Sequence, residues 1–292
     1  MHEKQKIDFV AHLSKDLVDA FGTDQKTKDY QKLGIDAVAE VVDARIPISS
    51  RNPEIAQLIS GKPHIILLNK CDMADKTVTE EWINHYKKQN ITAIPLDCKS
   101  GKGIDKFKTT VKTVLAQRLE YYQSKGMVGK PLRVMVVGIP NVGKSTFINR
   151  IAGKTRAKAE NRPGVTRGNQ WFTIDRQLEL LDTPGVLWPK FEDQTVGEHL
   201  AFTGAVKDRI LDIELLGMRL LEILTECYRE KLTERYGELD FECDSYDLLC
   251  QIGKKRGMVI RGGETDTERA ANMLLEEYRN CKIGLITLER AE

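Results

Sequence analysis

Two kinds of hydrophobic spacing divide the chain. Short, nearly unbroken apolar runs lie at DAVAEVVDARI (36–46), HIILLNKCD (64–72), ITAIPLDC (91–98) and LRVMVVG (132–138). Runs of this length, rich in β-branched residues and bounded by turn residues, read as buried strands. Between them, TVTEEWINHYKKQ (77–89) and GIDKFKTTVKTVLAQRLEYYQSK (103–125) carry apolar residues at helical spacing. The first is assigned an N-cap at Thr77 or Thr79. KGMVGKP (125–131) reads as a connector. KSTFINRIAG (144–153) reads as a helix ended by Gly153. NQWFTID and LELLDTPG read as a strand pair. Strands alternating with helices predict a mostly parallel α/β sheet.

After WPKFED the pattern changes. Helical spacing fills 196–206, 210–235, 244–256 and 266–281, with no convincing strand. In the last segment Ala270, Met273, Leu274 and Tyr278 share one face, the signature of a packing helix. The expected organisation is a sheet domain over 1–190, with an atypical segment at 1–34, and a smaller all-α domain over 191–292.

Bulk properties narrow the setting. With 292 residues and 41% hydrophobic content the chain can bury a sizeable core. Lys+Arg 45 against Asp+Glu 43 excludes a histone-like cationic protein but leaves room for a local basic patch. Six cysteines show no C-x-x-C pair, so reduced thiols are expected. The N-terminus lacks a signal-peptide core, and no apolar run nears the ~20 residues of a membrane span. A soluble, cytoplasmic monomer with no membrane partner is expected.

The chemistry starts at GIPNVGKS (138–145), which satisfies G-x-x-x-x-G-K-S between a strand and a helix. Gly138 and Gly143 let the backbone wrap so that N–H groups face a β-phosphate. The helix N-terminus adds partial positive charge. Lys144 suits the β- and γ-phosphates, and Ser145 suits Mg²⁺. Asn141, Val142, Gly143, Lys144, Ser145 and Thr146 are the candidate phosphate-side residues.

The base is read elsewhere. Asn69-Lys70-Cys71-Asp72 ends a strand, where open α/β sheets bind ligands. The Asp72 carboxylate can accept from guanine N1–H and the N2 amine together; adenine offers neither donor. The Lys70 stem can lie over the base, and Asn69 can tie the loop to its neighbours. Asp97-Cys98-Lys99, ending the next strand, resembles the Ser-Ala-Lys loop whose backbone N–H reads guanine O6. Asp182-Thr-Pro-Gly185 matches D-x-x-G: Asp182 would hold Mg²⁺ through water, and the Gly185 N–H would meet the γ-phosphate. Thr166, in NRPGVTRG, is the candidate switch threonine for Mg²⁺. Val186 stands where many GTPases place a water-orienting glutamine. Valine cannot hydrogen-bond water, so slow intrinsic hydrolysis and a helper from outside are expected.

The guanine motif therefore precedes the phosphate loop, reversing the usual order. This order, with VVDARIPISSRNPEI (41–55), LLNKCD, GIPNVGKSTFINR, RPGVTRGNQW and LLDTPGVLWPK, resembles the circularly permuted GTPases, most closely the bacterial ribosome biogenesis GTPase A family. GGETDTERAANMLLEEYRNCKIGLITLE is similar to that family's helical domain. The resemblance covers roughly 35–290. It implies a P-loop GTPase fold and a role in late maturation of the large (50S) ribosomal subunit. It also implies binding to its rRNA and hydrolysis stimulated by the particle. K⁺ is implied as a second cation, held at Asn141; a simple loop-turn role is the alternative for that residue. The family's opening tryptophan-x-proline-glycine-histidine-methionine segment, whose histidine is proposed to assist hydrolysis, is missing. The first 34 residues hold only His2 and His12, and no catalytic role is transferred to either. The catalytic group is thus unassigned.

Two stretches are locally basic: 153–168, with Lys154, Arg156, Lys158, Arg162 and Arg167, and KKRGMVIRGG (254–263). Each is either an RNA contact or a solvated face. Three functions compete. The first is a GTP-hydrolysing assembly factor. The second is a GTP-dependent RNA- or ribosome-binding module whose hydrolysis is incidental. The third, a signalling GTPase, lacks a lipidation motif. Because the D-T-P-G switch leads directly into the helical part, nucleotide state is expected to set the angle between the two domains.

Overall fold

A computed structural model describes residues 34–53, 61–153, 170–183, 193–206 and 212–291. Among the described residues six strands form one sheet: β1 (Ala37–Asp43), β2 (His64–Asn69), β3 (Thr92–Pro95), β4 (Leu132–Val137), β5 (Gln170–Asp175) and β6 (Leu178–Asp182). Their order is β3-β2-β1-β4-β6-β5. All neighbours are parallel except β5, which pairs antiparallel with β6 at one edge. The α/β expectation holds, as does the pairing of the last two strands.

The apolar runs become strands because both faces of the sheet are covered. Ala37, Ala39 and Val41 of β1 join the large core with Phe107 and Phe147. Val42 points the other way and packs with Ile66, Leu68, Trp82 and Tyr86. Helix α1 (Lys76–Lys88) covers that second face. Its N-cap is Asp75, which accepts from Thr77 and Val78 N–H at 2.9 and 3.3 Å. That corrects the expected threonine cap. Thr79 instead donates its hydroxyl to the Asp75 carbonyl, one turn inside the helix.

The single helix expected over 103–125 is two, α2 (Ile104–Val114) and α3 (Ala116–Ser124). The break falls at Leu115, buried in the core after a stretch holding Thr109, Thr110, Val111, Thr113 and Val114, whose β-branching weakens a helix. Helix α4 (Lys144–Ala152) follows the phosphate loop and ends at Gly153 in the left-handed conformation, as expected.

The C-terminal region is helical: α5 (Gln194–Phe202), α6 (Ile213–Cys227), α7 (Arg229–Tyr236), α8 (Ser245–Lys255) and α9 (Thr267–Arg279). The helix expected over 210–235 is split at Tyr228. Its hydroxyl donates to the Thr287 carbonyl at 2.9 Å and accepts the Thr287 N–H at 3.1 Å. That tertiary pin overrides helical continuity. The predicted stripe on α9 is core: Ala270, Leu274 and Tyr278 are buried, Met273 half-buried.

One apolar cluster runs from the sheet into these helices, through Leu200, Phe202, Leu220 and Leu274. Residues past α9 strap the two parts together. Leu288 N–H donates to the Arg45 carbonyl at 2.8 Å, and Trp82 Nε1 donates to the Glu289 carbonyl at 3.0 Å. The buried Glu289 carboxylate accepts from the Ser49 N–H at 3.0 Å and the Ile48 N–H at 2.5 Å, and from the Ser49 hydroxyl. It lies 2.9 Å from His199 Nδ1 of α5. Removing it strands several buried donors at once. Glu289→Ala should therefore cost about 3 kcal/mol by urea unfolding, and Glu289→Gln clearly less. Equal losses for the two variants would refute this role.

Candidate nucleotide site

The order of strand addition reverses between β1 and β4: the chain winds outward to β3 on one side and to β6 on the other. Ligands of open α/β sheets bind outside the carboxyl ends of strands at such a point. The phosphate loop follows β4, the guanine motif follows β2, and Asp97-Cys98-Lys99 follows β3, so all three meet there. A cavity of about 360 Å³ lies between them, within the size range of small-molecule sites. Of the predicted residues, Asn69, Lys70, Asp72, Asp97, Cys98 and Asn141 line it, as do Gly143 and Thr146.

Asn69 is the joint. Its Nδ2 donates to the Val142 carbonyl of the phosphate loop at 2.7 Å. Its Oδ1 accepts the Cys98 N–H at 3.2 Å. One buried amide thus ties three loops together, as the tying role assigned to Asn69 requires. The Cys98 N–H is thus committed to Asn69, within the loop whose backbone N–H is expected to read guanine O6. Gly143 leaves room for this joint: a Cβ there would sit 2.2 Å from Asn69 Nδ2, and its φ of 97° suits only glycine. Gly138 likewise lies against β1, where a Cβ would meet the Val41 carbonyl at 2.6 Å.

The base-side wall is electrostatic. Lys70 adopts φ 61°, and its ammonium lies 2.9 Å from Asp43 Oδ2. Asp43 is also bound by Arg45, through Nε at 2.9 Å and Nη2 at 2.7 Å. Burial alone would raise the Asp43 carboxyl. The Arg45 guanidinium and the Lys70 ammonium override it and hold Asp43 well below the usual carboxylate range. Anchoring the ammonium fixes the path of the Lys70 stem beside the cavity. Cys98 is a neutral thiol: burial, with the nearby Asp97 charge, pushes it up to about 12. Burial raises the Cys71 thiol as well. Burial also pushes the Asp97 carboxyl up, but hydrogen bonds from Ser100 and Lys99 more than offset it. Its Oδ1 accepts Lys99 N–H at 2.8 Å, so Asp97 shapes its own loop.

On the phosphate side, Lys144 Nζ reaches Asp182 Oδ1 at 2.7 Å and also donates to the Thr183 carbonyl. Both side chains are buried. Burial raises the Asp182 carboxyl, and Lys144 opposes the rise. Ser145 follows Lys144 in the first turn of α4. Among the described residues no group of three or more His, Cys, Asp or Glu is placed to hold a metal. Asp182 and the Ser145 hydroxyl in the first turn of α4 are the groups that would hold Mg²⁺, which keeps waters and takes phosphate oxygens. Thr166, Gly185 and Val186 lie outside the described residues, as do His2 and His12.

Sequence reasoning missed a whole wall. Thr203 and Gly204 after α5, and Arg279 and Asn280 at the end of α9, line the same cavity, with Arg45 and Met73. Arg45 stands in the quoted stretch 41–55, and its carboxylate partner two residues earlier was the available signal. Nothing local marks the helical residues.

A family model described as "50S ribosome-binding GTPase" matches residues 133–235. Ribosome biogenesis GTPase A of Priestia megaterium is 48% identical over 257 residues, covering 87% of this chain and 89% of that one. The chain belongs to the ribosome biogenesis GTPase A family. The Thermotoga maritima member is 30% identical over 268 residues, covering 92% and 90%. Two solved structures are similar at 28% identity. GDP-bound TM YlqF gives a TM-score of 0.65 over 91% of this chain and 99% of that chain. GNP-bound YlqF from T. maritima gives 0.63 over 92% and 97%. The match to the 50S ribosome-binding GTPase model starts within β4, so the guanine motif of this ribosome biogenesis GTPase A family member falls outside it.

The Asn69–Gly143 contact yields a direct test. Gly143→Ala should lower affinity for a fluorescent GDP more than about tenfold, or about 1.4 kcal/mol, while circular dichroism stays unchanged. Wild-type affinity would refute the steric argument.

Proposed function

We propose that this chain is a GTP-hydrolysing assembly factor that acts late in maturation of the large ribosomal subunit, with hydrolysis stimulated by the particle. The observation that carries the reading is Asn69, joining a complete phosphate loop to a guanine-reading loop across the sheet's switch point. The names of its relatives support the ribosomal part. In the cycle, Asp72 accepts from the guanine edge and the Lys70 stem covers the base. Lys144 exchanges its present partners, Asp182 and the Thr183 carbonyl, for β- and γ-phosphate oxygens. That exchange frees Asp182 to face Mg²⁺ beside Ser145 and Thr166, and Gly185 meets the γ-phosphate. Mg²⁺ held by Ser145, Thr166 and, through water, Asp182 would supply positive charge against the charge that develops on the phosphates. Val186 cannot orient water, so the particle supplies or orders that group.

Asn141 is the proposed K⁺ ligand. Its backbone is held at φ 65°, and its Nδ2 is committed to the Gly204 carbonyl at 3.1 Å, which leaves the amide oxygen as the ligating atom. No helix among the described residues is long and apolar enough to cross a membrane; the cytoplasm is the proposed compartment. A monomer is the proposed form.

The proposed rRNA contact is the turn after α8. Val259 bridges Thr265, and Ile260 N–H donates to the Glu264 carbonyl at 2.9 Å, making a small hairpin. Val259 and Ile260, on its first arm, are exposed at 52% and 49%. Of the four cations in this stretch, Lys255 donates to the Glu238 carbonyl, and Arg256 donates to the Arg235 carbonyl and lies over Tyr236. Lys254 and Arg261 are the cations proposed for phosphate. The other basic stretch, from Lys154 onward, lies outside the described residues.

GTP turnover with and without large ribosomal subunits, in K⁺ and in Na⁺, tests the main reading. The expected result is slow turnover alone and a rise of about tenfold or more with subunits in K⁺, at least 1.4 kcal/mol off the barrier. Fast turnover indifferent to subunits would overturn it; equal rates in K⁺ and Na⁺ would remove the Asn141 role. The hydrolysis-incidental reading, favoured by Val186, predicts normal subunit release by a variant that binds GTP but cannot cleave it. For the RNA face, Lys254→Ala with Arg261→Ala should reduce the salt slope of rRNA binding by about two. An unchanged slope would place the contact elsewhere.

A further inference from the structure

The helical wall of the nucleotide cavity has its own internal logic. Helix α5 ends at Phe202, and the carbonyls of its last turn need partners. Gly204 N–H donates to the Ala201 carbonyl at 3.0 Å, and Ala205 N–H donates to the Leu200 carbonyl at 2.9 Å. With Gly204 at φ 73°, this is a Schellman turn. Arg279, the last residue of α9, completes it. Its Nε donates to the Phe202 carbonyl at 3.0 Å and its Nη2 to the Ala201 carbonyl at 2.7 Å. A cation at a helix C-terminus also complements the dipole. The Gly204 carbonyl, fixed by the turn, then accepts from Asn141 Nδ2. Three links thus run from α9 to the phosphate loop: guanidinium to helix end, helix end to glycine carbonyl, carbonyl to asparagine amide.

We propose that Arg279 is a positioning residue for the nucleotide site: by bracing the turn at Gly204 it sets the orientation of Asn141 in the phosphate loop. Helix α9 therefore contributes to guanine-nucleotide affinity, although it carries none of the GTPase motifs. The inference rests on the reading that Asn141 faces bound nucleotide. Arg279 is a better brace than lysine, because two carbonyls with different positions need the forked donors of a guanidinium.

A double-mutant cycle tests the chain of contacts, with the affinity of a fluorescent GDP measured by titration. The variants are Arg279→Ala, Asn141→Gly (chosen because the backbone there is left-handed) and the pair together. Each single change should weaken binding about fivefold. The pair should be no weaker than the worse single variant, because both cut the same link. Arg279→Lys, one donor for two carbonyls, should fall between wild type and Arg279→Ala. If Arg279→Ala does not fold, the cycle is run with Arg279→Lys. Multiplying losses, or wild-type affinity in the Arg279 variant, would overturn the proposal. Wild-type affinity in Asn141→Gly alone would instead remove the nucleotide role of Asn141, and the inference with it.

Discussion

The two hydrogen bonds of Asn69 are the constraint on which the site depends. Its partners, Val142 and Cys98, belong to loops that follow different strands, and Val142 lies 73 positions downstream. A buried amide satisfied at both ends fixes the separation of those loops to within a hydrogen bond. A half-satisfied one would cost about 1–3 kcal/mol. Gly143 is glycine because of it, and Lys70 turns left-handed immediately after it. Chain order is irrelevant to such a joint. The loops are brought together by strand order in the sheet, so a permuted chain assembles the same cradle from residues met in reverse.

This explains what could be read from sequence. Phosphate and guanine chemistry demand specific residue types at fixed local spacing, so GIPNVGKS and NKCD were legible. The strands were legible because burial on both faces demands continuous apolar runs. Element boundaries were less so. One helix breaks at the buried Leu115, after β-branched residues that weaken it, and the other at Tyr228, where the pin to Thr287 overrides helical continuity. Asp75 was available as a better cap than either threonine, two residues ahead of the expected position. The wall from Thr203, Gly204, Arg279 and Asn280 was invisible. Each is ordinary in its own segment, and only the packing of the helical region against the sheet gives it a role.

The Asp43–Arg45–Lys70 cluster shows how that packing reaches the base side. Arg45 lies 5.5 Å from the Tyr278 ring on α9, and its main-chain carbonyl accepts Leu288 N–H from the strap. A buried ion group of this kind contributes little net stability, because desolvation opposes attraction. Breaking it by removing one member is expensive, about 3–5 kcal/mol. Its value is geometric: it holds the Lys70 stem, the end of β1 and the last turn of α9 in one arrangement.

Helix α9 is therefore in contact with both ends of the nucleotide cavity, through Tyr278 on the base side and Arg279 on the phosphate-loop side. Its other end starts at Asp266, whose N–H donates to the Met258 carbonyl at the base of the exposed hairpin. Thirteen residues separate the two ends, about 20 Å of rigid helix. Two links then join nucleotide to helical region, and they read different things. On the proposed reading, the covalent link past Asp182 follows the γ-phosphate. The link through Asn141, Gly204 and Arg279 follows occupation of the phosphate loop, which GDP and GTP share. A rigid element biased by both can distinguish empty, GDP and GTP states. A switch wired only through the D-T-P-G segment distinguishes just the presence of the third phosphate.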